Sequence, residues 1–395
     1  MFSASFLLLL SGVAQPPGPC RPAADSTARA DSTSQPASHD APLGAVLPVL
    51  WSNDYGGVTL GVRARPACTP PALRGLFLVT GATRGSAAAI GLYGRWNALP
   101  GGGGVSAWSV EGRSGAAVTI AGRHVELDAL WMATTNLGYL DRGLWDDAGS
   151  LELGPTFSTT THNGASVFRA RLGARLGLVY RNLWVSALNE HRLHYDGFTR
   201  LRGEMSVRHA VSASTTLGAR VFAGAYLGPS NPVRQLRVAV AAADPYETFT
   251  NPLLRSRGAL LVRPGFHYQE PGGGPNLRGF GRDLGGRWAV SVNLELTRAI
   301  ARSDAGLFRE VALEVFGDVG LVDTLAAAAN SPGRWYSKLY DGGVGIVTRQ
   351  QVRDLAWTMR LEAPLLVNRW NLAADYPTNS TSFALRWQVS FEPSF

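Results

Sequence analysis

The chain has 395 residues, 45% of them apolar, with 46 glycines and a formal charge of +8. Charged residues make up only 17% of the chain, against about 25% in an average soluble domain. This composition excludes a disordered chain and a disulfide framework. Beyond the N-terminus no run of about 20 apolar residues lacks charge, which excludes a helical membrane protein. Strands with one apolar and one polar face would average to the observed mean hydropathy of −0.00.

Two segments precede the region expected to fold. Residues 1–14 form a short apolar run that ends in small residues, which is typical of a secretory signal peptide, although no Lys or Arg precedes the apolar run. Residues 15–44 are rich in Pro, Ala, Ser, Asp and Thr. We expect them to form a disordered leader, because they have little apolar surface to bury. The two cysteines, Cys20 and Cys68, would in an exported protein either pair or stay free.

From residue 45 onwards, most segments alternate with a period of two residues, which indicates strands. In the run 167–180, apolar side chains from Phe168 to Tyr180 occupy one face, and Arg and Gly occupy most of the other. Such runs are about 9–12 residues long, the length that a tilted strand needs to cross a bilayer. The pattern therefore predicts an all-β fold over residues 45–395, an antiparallel transmembrane β-barrel whose apolar face contacts lipid and whose polar face lines a lumen.

The count of strands is close to sixteen, and bacterial barrels have even numbers. Five strands are expected at the C-terminal end, at 288–298, 309–318, 340–349, 356–363 and 383–391. About eleven are expected upstream, starting near 57–66 and including the runs 116–134, 167–180, 182–190, 233–243 and 257–269. The inner face of these strands carries many arginines. By parity, the lumen-lining set includes Arg169, Arg171, Arg175, Arg263, Arg360 and Arg386, and we expect a net-positive interior that favours anions.

Three short motifs lie in or after the loop that precedes the last five strands. The loop contains Asn276-Leu277-Arg278-Gly279-Phe280-Gly281, the next strand contains Glu295, and the one after it contains Val315-Phe316-Gly317-Asp318-Val319-Gly320. Together these motifs resemble the C-terminal barrel of the BamA/TamA superfamily, which also includes two-partner-secretion transporters and the bacterial surface antigen family. Roughly residues 255–395 carry this match, and the preceding residues match only in strand pattern.

The resemblance implies a 16-stranded barrel with an inward-folded loop between strands 11 and 12. The Arg-Gly-Phe tip of that loop would be Arg278, Gly279 and Phe280, and Arg278 would contact Glu295 on the twelfth strand and Asp318 on the thirteenth. The implied loop-lock motif is Arg278, Gly279, Phe280, Glu295, Phe316, Asp318 and Gly320, and the terminal Phe395 would be the assembly signal. The chemistry agrees, because a guanidinium can bridge two carboxylates and a glycine lets the backbone turn tightly.

The expected function is protein or lipid translocation or insertion in the cell outer membrane. Two alternatives are a surface-exposed barrel that anchors or serves a separate periplasmic partner protein, and an anion-favouring pore. Expected partners are outer-membrane lipids, the barrel assembly machinery during biogenesis and such a periplasmic protein. Nucleic acid is not expected, because the arginines are not clustered on a helix or interleaved with exposed aromatics.

Superfamily members that handle protein clients carry periplasmic POTRA domains ahead of the barrel. Because only residues 15–44 separate the expected signal peptide from the barrel, we expect this chain to lack them, which puts client capture in doubt. No Gly-x-Ser-x-Gly nucleophile elbow and no metal-ligand spacing is visible. We therefore expect no enzyme activity, no cofactor and no metal.

Overall fold

The structure is a computed structural model in which part of the chain is described. The described residues are 45–53, 57–65, 75–82, 90–96, 99, 103–110, 112–135, 145–185, 190–240, 267–270, 274–280, 285–323, 336–352, 355–368, 381–383 and 387–393. Outside them lie the expected signal peptide and leader, together with Cys20, Cys68, Arg263, Arg386 and Phe395.

Strands make up most of the described chain. Those before the long loop are β1 Ala45–Asn53, β2 Gly57–Arg65, β3 Gly75–Ala82, β4 Ile90–Trp96, β5 Gly104–Val110, β6 Arg113–Ala121, β7 Val125–Thr134, β8 Ala148–Asn163, β9 Ser166–Val185, β10 Glu190–Ala210 and β11 Thr215–Leu227. The loop contains β12 Val238–Ala239, β13 His267–Glu270 and β14 Gly285–Gly286. Those after it are β15 Trp288–Arg302, β16 Phe308–Asp323, β17 Tyr336–Val352, β18 Leu355–Asn368, β19 Thr381–Phe383 and β20 Trp387–Pro393.

Successive strands pair antiparallel from β1 to β11, and β11 then pairs with β15 across the long loop. The series continues through β18, which pairs antiparallel with both β19 and β20, and these two are counted together as its last position. Counted this way, eleven described strands precede the loop and five follow it. The all-β fold and its single large antiparallel sheet are thus confirmed. In the described pairings, β1 contacts only β2, and β13 runs parallel to β20 on the edge opposite β18.

No helix in the described ranges is both long enough and apolar enough to span a membrane.

Several expected strand boundaries were wrong. The run 116–134 divides into β6 and β7, because a turn closes there with a 2.7 Å hydrogen bond from Gly122 N–H to Val125 O. The runs 167–180 and 182–190 fall mainly on one long strand, β9, since β10 pairs with it on both sides of residue 181. β1 was not expected as a strand.

The run 233–243 also differs from its expected strand. It begins with a short 3-10 turn at Arg234–Leu236 and continues into the two-residue strand β12. The apolar side chains of this segment are buried at spacings that do not keep to period two: Val233, Leu236, Val238, Ala239 and Val240. Of the run 257–269, only residues 267–269 are described, and they belong to the parallel strand β13.

The two faces of the sheet show an inverted distribution of polarity. On β15, Leu294 is 52% exposed and Leu296 is 45% exposed, whereas Ser291 and Asn293 between the apolar positions are buried. β8 repeats the pattern, because Leu151 and Leu153 are exposed while the side chains at 150 and 152 are buried. We call the apolar exposed side the outer face and the polar side the inner face. Soluble sheets bury the apolar side instead.

The long loop packs onto the inner face through two buried apolar clusters. In the first, Val233 and Leu236 of the loop pack with Trp145 and with side chains from β5 and β7 to β11. In the second, Leu277 and Phe280 of the loop pack with side chains from β11 and β15 to β18. The first cluster therefore holds the start of the loop on the inner face, and the second holds residues 277–280 there.

Candidate loop-lock site

The loop tip is aligned by hydrogen bonds from β15. Ser291 donates from Oγ to the carbonyl of Pro275 at 2.6 Å, and Asn293 donates from Nδ2 to the carbonyl of Asn276 at 2.9 Å. Asn276 adopts a left-handed backbone conformation with φ of 52°, which asparagine tolerates better than most residues. The chain therefore bends at Asn276 and directs the next side chains towards β16.

Arg278 is the centre of the site, and its side chain is 2% exposed. It binds Asp318 of β16 in bidentate geometry, with Nε to Oδ2 at 2.8 Å and Nη2 to Oδ1 at 2.9 Å. Nη1 donates to Glu314 of β16 at 2.9 Å and to Glu362 of β18 at 2.8 Å. We call Arg278 and these three carboxylates the loop lock. Charge-assisted bonds of this kind are the strongest hydrogen bonds in proteins.

The guanidinium of Arg278 also stacks on an aromatic ring. Its Cζ lies 3.9 Å from the centroid of the Phe316 ring, within the range of a cation–π contact. Burial by itself disfavours the charged form, yet the neighbouring carboxylates, Asp318 first, hold the pKa of Arg278 well above its ordinary value. Arg278 therefore stays positively charged in the lock.

Glu295, the twelfth-strand acid implied by the resemblance, lies farther from Arg278. The nearest distance between them, from Nη1 to Oε2, is 4.0 Å, which is beyond a hydrogen bond. Instead, Arg360 donates from Nη1 to Glu295 at 3.3 Å and to Glu314 at 3.1 Å. Glu295 therefore joins the cluster through Arg360, while Asp318 lies where the motif indicated.

The motif left out Glu314 and Glu362, although both bond directly to Arg278. The alternation of side chains along β16 did indicate Glu314, because it lies four residues before Asp318 and so on the same inner face. Alternation along β18 also puts Glu362 on the inner face, but its contact with Arg278 depends on the strand register. Gly345 of β17 is the direct partner of both Glu314 and Glu362. A Cβ there would lie 3.2 Å from Cγ of Glu362, so the glycine makes room for the carboxylates on either side.

The glycines of the motif serve close packing. A Cβ on Gly279 would lie 2.5 Å from Cγ2 of Val367 and 2.7 Å from Cβ of Asp341. A Cβ on Gly320 would lie 2.8 Å from Cδ1 of Leu277. The chain turns at Arg278 and Gly279, where the amide of Phe280 donates to the carbonyl of Leu277 at 3.2 Å, and Gly279 does so without a left-handed φ. Its role is to let the loop approach β17 and β18.

Acidic groups outnumber the guanidiniums at the lock. Asp318 and Asp341 are direct cross-strand partners on β16 and β17, and both are buried. Like charges directly opposite each other destabilise a sheet. Arg278 bonds to Asp318 of this pair and to Glu314 and Glu362 beside it, so it places a cation among these acids and ties the loop to β16 and β18.

The structure places the remaining site residues as follows. Arg169, Arg171 and Arg360 line a cavity of about 570 Å³ that is bordered by Arg278. Arg175 faces Asp128 of β7, with Nη2 to Oδ2 at 2.8 Å. Arg263, Arg386 and Phe395 lie outside the described residues. Within the described part of the chain, no three His, Cys, Asp or Glu side chains are grouped so as to hold a metal ion.

Compared with known proteins, the sequence matches no family model and no curated protein.

Proposed function

We propose that the chain is a closed sixteen-stranded β-barrel of the outer membrane, similar to the barrels of the BamA/TamA superfamily, and that it acts in translocation or insertion of protein or lipid. The loop between the eleventh and twelfth strands would block or brace the lumen. Its release from the inner face would be the conformational step, and no cofactor would take part.

The membrane part of the proposal rests on the polarity of the sheet, whose exposed face is apolar and whose buried face is polar. Leucines and valines at alternate positions are exposed, among them Leu172 at 64% and Leu176 at 68%. The opposite face buries charged groups such as Glu152 and Asp318. In water such a surface would be an association hazard, whereas in a bilayer the apolar face is solvated by lipid. A hydrocarbon environment also requires every backbone group to be paired, which favours closure.

The observation that carries the loop part of the proposal is the fully bonded Arg278. A buried guanidinium shared by three carboxylates is costly to assemble and costly to break on one side. Such a contact holds one defined arrangement of loop and wall. It therefore suits a loop that has a closed state and must be displaced before anything passes through the lumen.

The proposal is tested by fractionation and then by reconstitution of the full chain into phospholipid vesicles. We expect the chain in the outer-membrane fraction. In vesicles it should accelerate either the folding of a urea-denatured outer-membrane barrel or the movement of a fluorescent phospholipid between leaflets, relative to empty vesicles. Arg278→Ala should change the accelerated rate, whereas Arg298→Ala, on the outer face, should not. Acceleration of neither process would overturn the proposal.

A further inference from the structure

The cavity next to the loop lock has a charge surplus that its own acids do not neutralise. Its volume is about 570 Å³, which lies in the range of small-ligand sites. Its lining contains six arginines but only three acids, Glu204, Glu295 and Glu362. Each acid already has an arginine of the same cavity beside it: Glu204 is 2.9 Å from Arg220, Glu295 is 3.3 Å from Arg360, and Glu362 is 2.8 Å from Arg278.

The surplus is located on β9. Arg169 and Arg171 both face the cavity and are exposed within it. In the described ranges, neither has a carboxylate within 4.0 Å. Glu126 of β7 interacts electrostatically with Arg171 from a longer distance. Arg208 of β10 is a third cation of the wall, 3.8 Å from Glu295.

Hydroxyl groups flank the guanidiniums of Arg169 and Arg171. Arg169 lies between Thr160 of β8 and Ser206 of β10 in the strand register. Arg171 lies between Ser158 of β8 and Glu204 of β10, whose carboxylate binds Arg220. All three hydroxyl residues line the cavity. Guanidiniums provide planar pairs of donors for a multi-oxygen anion, and hydroxyls can donate to its remaining oxygens.

We propose that this cavity binds a phosphate-bearing group through Arg169 and Arg171, with the neighbouring hydroxyls completing the site. The source of the phosphate is either a free anion or the headgroup of a lipid. All the residues of this site lie on the inner face or at the loop tip. The proposal that it binds phosphate therefore holds whether or not the chain acts in translocation.

The test uses the full chain in a neutral detergent and isothermal titration calorimetry. Inorganic pyrophosphate probes the free anion, and dihexanoyl phosphatidic acid below its micelle concentration probes the headgroup. We expect binding at one site per chain, and Arg169→Ser or Arg171→Ser should weaken it by about tenfold or more, as expected when charge-assisted bonds are lost. Tighter binding of one probe identifies the source.

The matched control is Arg298→Ser, which removes the same charge from an exposed position on the outer face of β15. This variant should bind as the unaltered chain does. If either serine variant folds poorly by heat-modifiable mobility, Arg169→Lys and Arg171→Lys decide instead, because they keep the charge and should weaken binding by a smaller factor. The proposal is overturned if neither probe binds, or if the Arg169, Arg171 and Arg298 variants all bind equally.

Discussion

Arg278 connects the loop to two strands of the sheet, β16 and β18. Residues 274–280 of the loop form no strand of their own. Asp318 and Glu314 come from β16 and Glu362 comes from β18, so one side chain joins three separate chain segments. Leu277 and Phe280 beside it are buried in the apolar cluster. The tip is therefore held by an ionic centre between two apolar anchors, and each depends on the close approach that Gly279 permits.

Replacing Arg278 tests the ionic centre. In Arg278→Ala, three buried carboxylates lose their common cation, and breaking a buried pair on one side costs about 3–5 kcal/mol. We expect a lower urea midpoint and a larger single-channel conductance, because the loop leaves the wall. Arg278→Lys should rescue little, since an ammonium cannot match Asp318 in bidentate geometry and still reach Glu362. Unchanged conductance and unchanged heat-modifiable mobility in Arg278→Ala would show that no lock exists.

Replacing Gly279 tests the close approach without touching charge. Its added methyl would overlap Val367 and Asp341 of the wall, at 2.5 and 2.7 Å. We expect Gly279→Ala to displace the tip and to lower stability by about 1–3 kcal/mol, the usual cost of overpacking. Gly197→Ala on β10 is the matched control, because a Cβ there meets nothing within 4 Å. Urea unfolding curves that coincide for the two variants would contradict this assignment.

At the scale of the strand, the exposed leucines distinguish a membrane sheet from a soluble one. Leu294, in the middle of β15, is 52% exposed. In a bilayer, Leu294→Arg should cost about 2–4 kcal/mol, the effect of a cation near the midplane. Leu307→Arg, in the turn between β15 and β16, should cost only about 0–1 kcal/mol, as near an interface.

The measurement for this pair is urea unfolding of the reconstituted chain. In a soluble sheet, both leucines would face water, and both substitutions would stay within about 0.5 kcal/mol of zero. A small effect at Leu294 would therefore argue against lipid on the outer face. Depth dependence between the two positions is the decisive outcome, because a packed protein partner would not by itself produce it.

The sequence predicted the strands best where alternation was long and uninterrupted. The run 288–298 lies inside β15 and 309–318 lies inside β16, with inner and outer faces as expected from parity. It failed at 233–243, because the described part of this run, 233–240, is apolar where it packs on the inner face as part of the loop and not as a strand of the large sheet. The same limit applied to the site. Asp318 was found by motif, whereas Glu362 reaches Arg278 only through the register of β17 and β18.

At the scale of the whole molecule, closure of the sheet depends on what the edge strands β1 and β20 pair with. β1 pairs on one side with β2, and β13 occupies the edge of β20 over four residues, His267–Glu270. The closed barrel that we propose requires β20 to pair with β1. β13 would then have to leave this edge, at least where the two pairings compete. In hydrocarbon an unpaired edge costs several kcal/mol per polar group, so lipid itself favours closure.

Hydrogen exchange in lipid nanodiscs tests closure directly. In an antiparallel pair, every second amide of β1 bonds to β2 and the others point to the opposite edge. If the barrel closes, both sets of β1 amides should exchange as slowly as those of β10, which is paired on both sides by β9 and β11. In an open sheet, only the set bonded to β2 would be slow. Rapid exchange of alternate β1 amides, with β10 protected, would therefore exclude a closed barrel while leaving the loop lock intact.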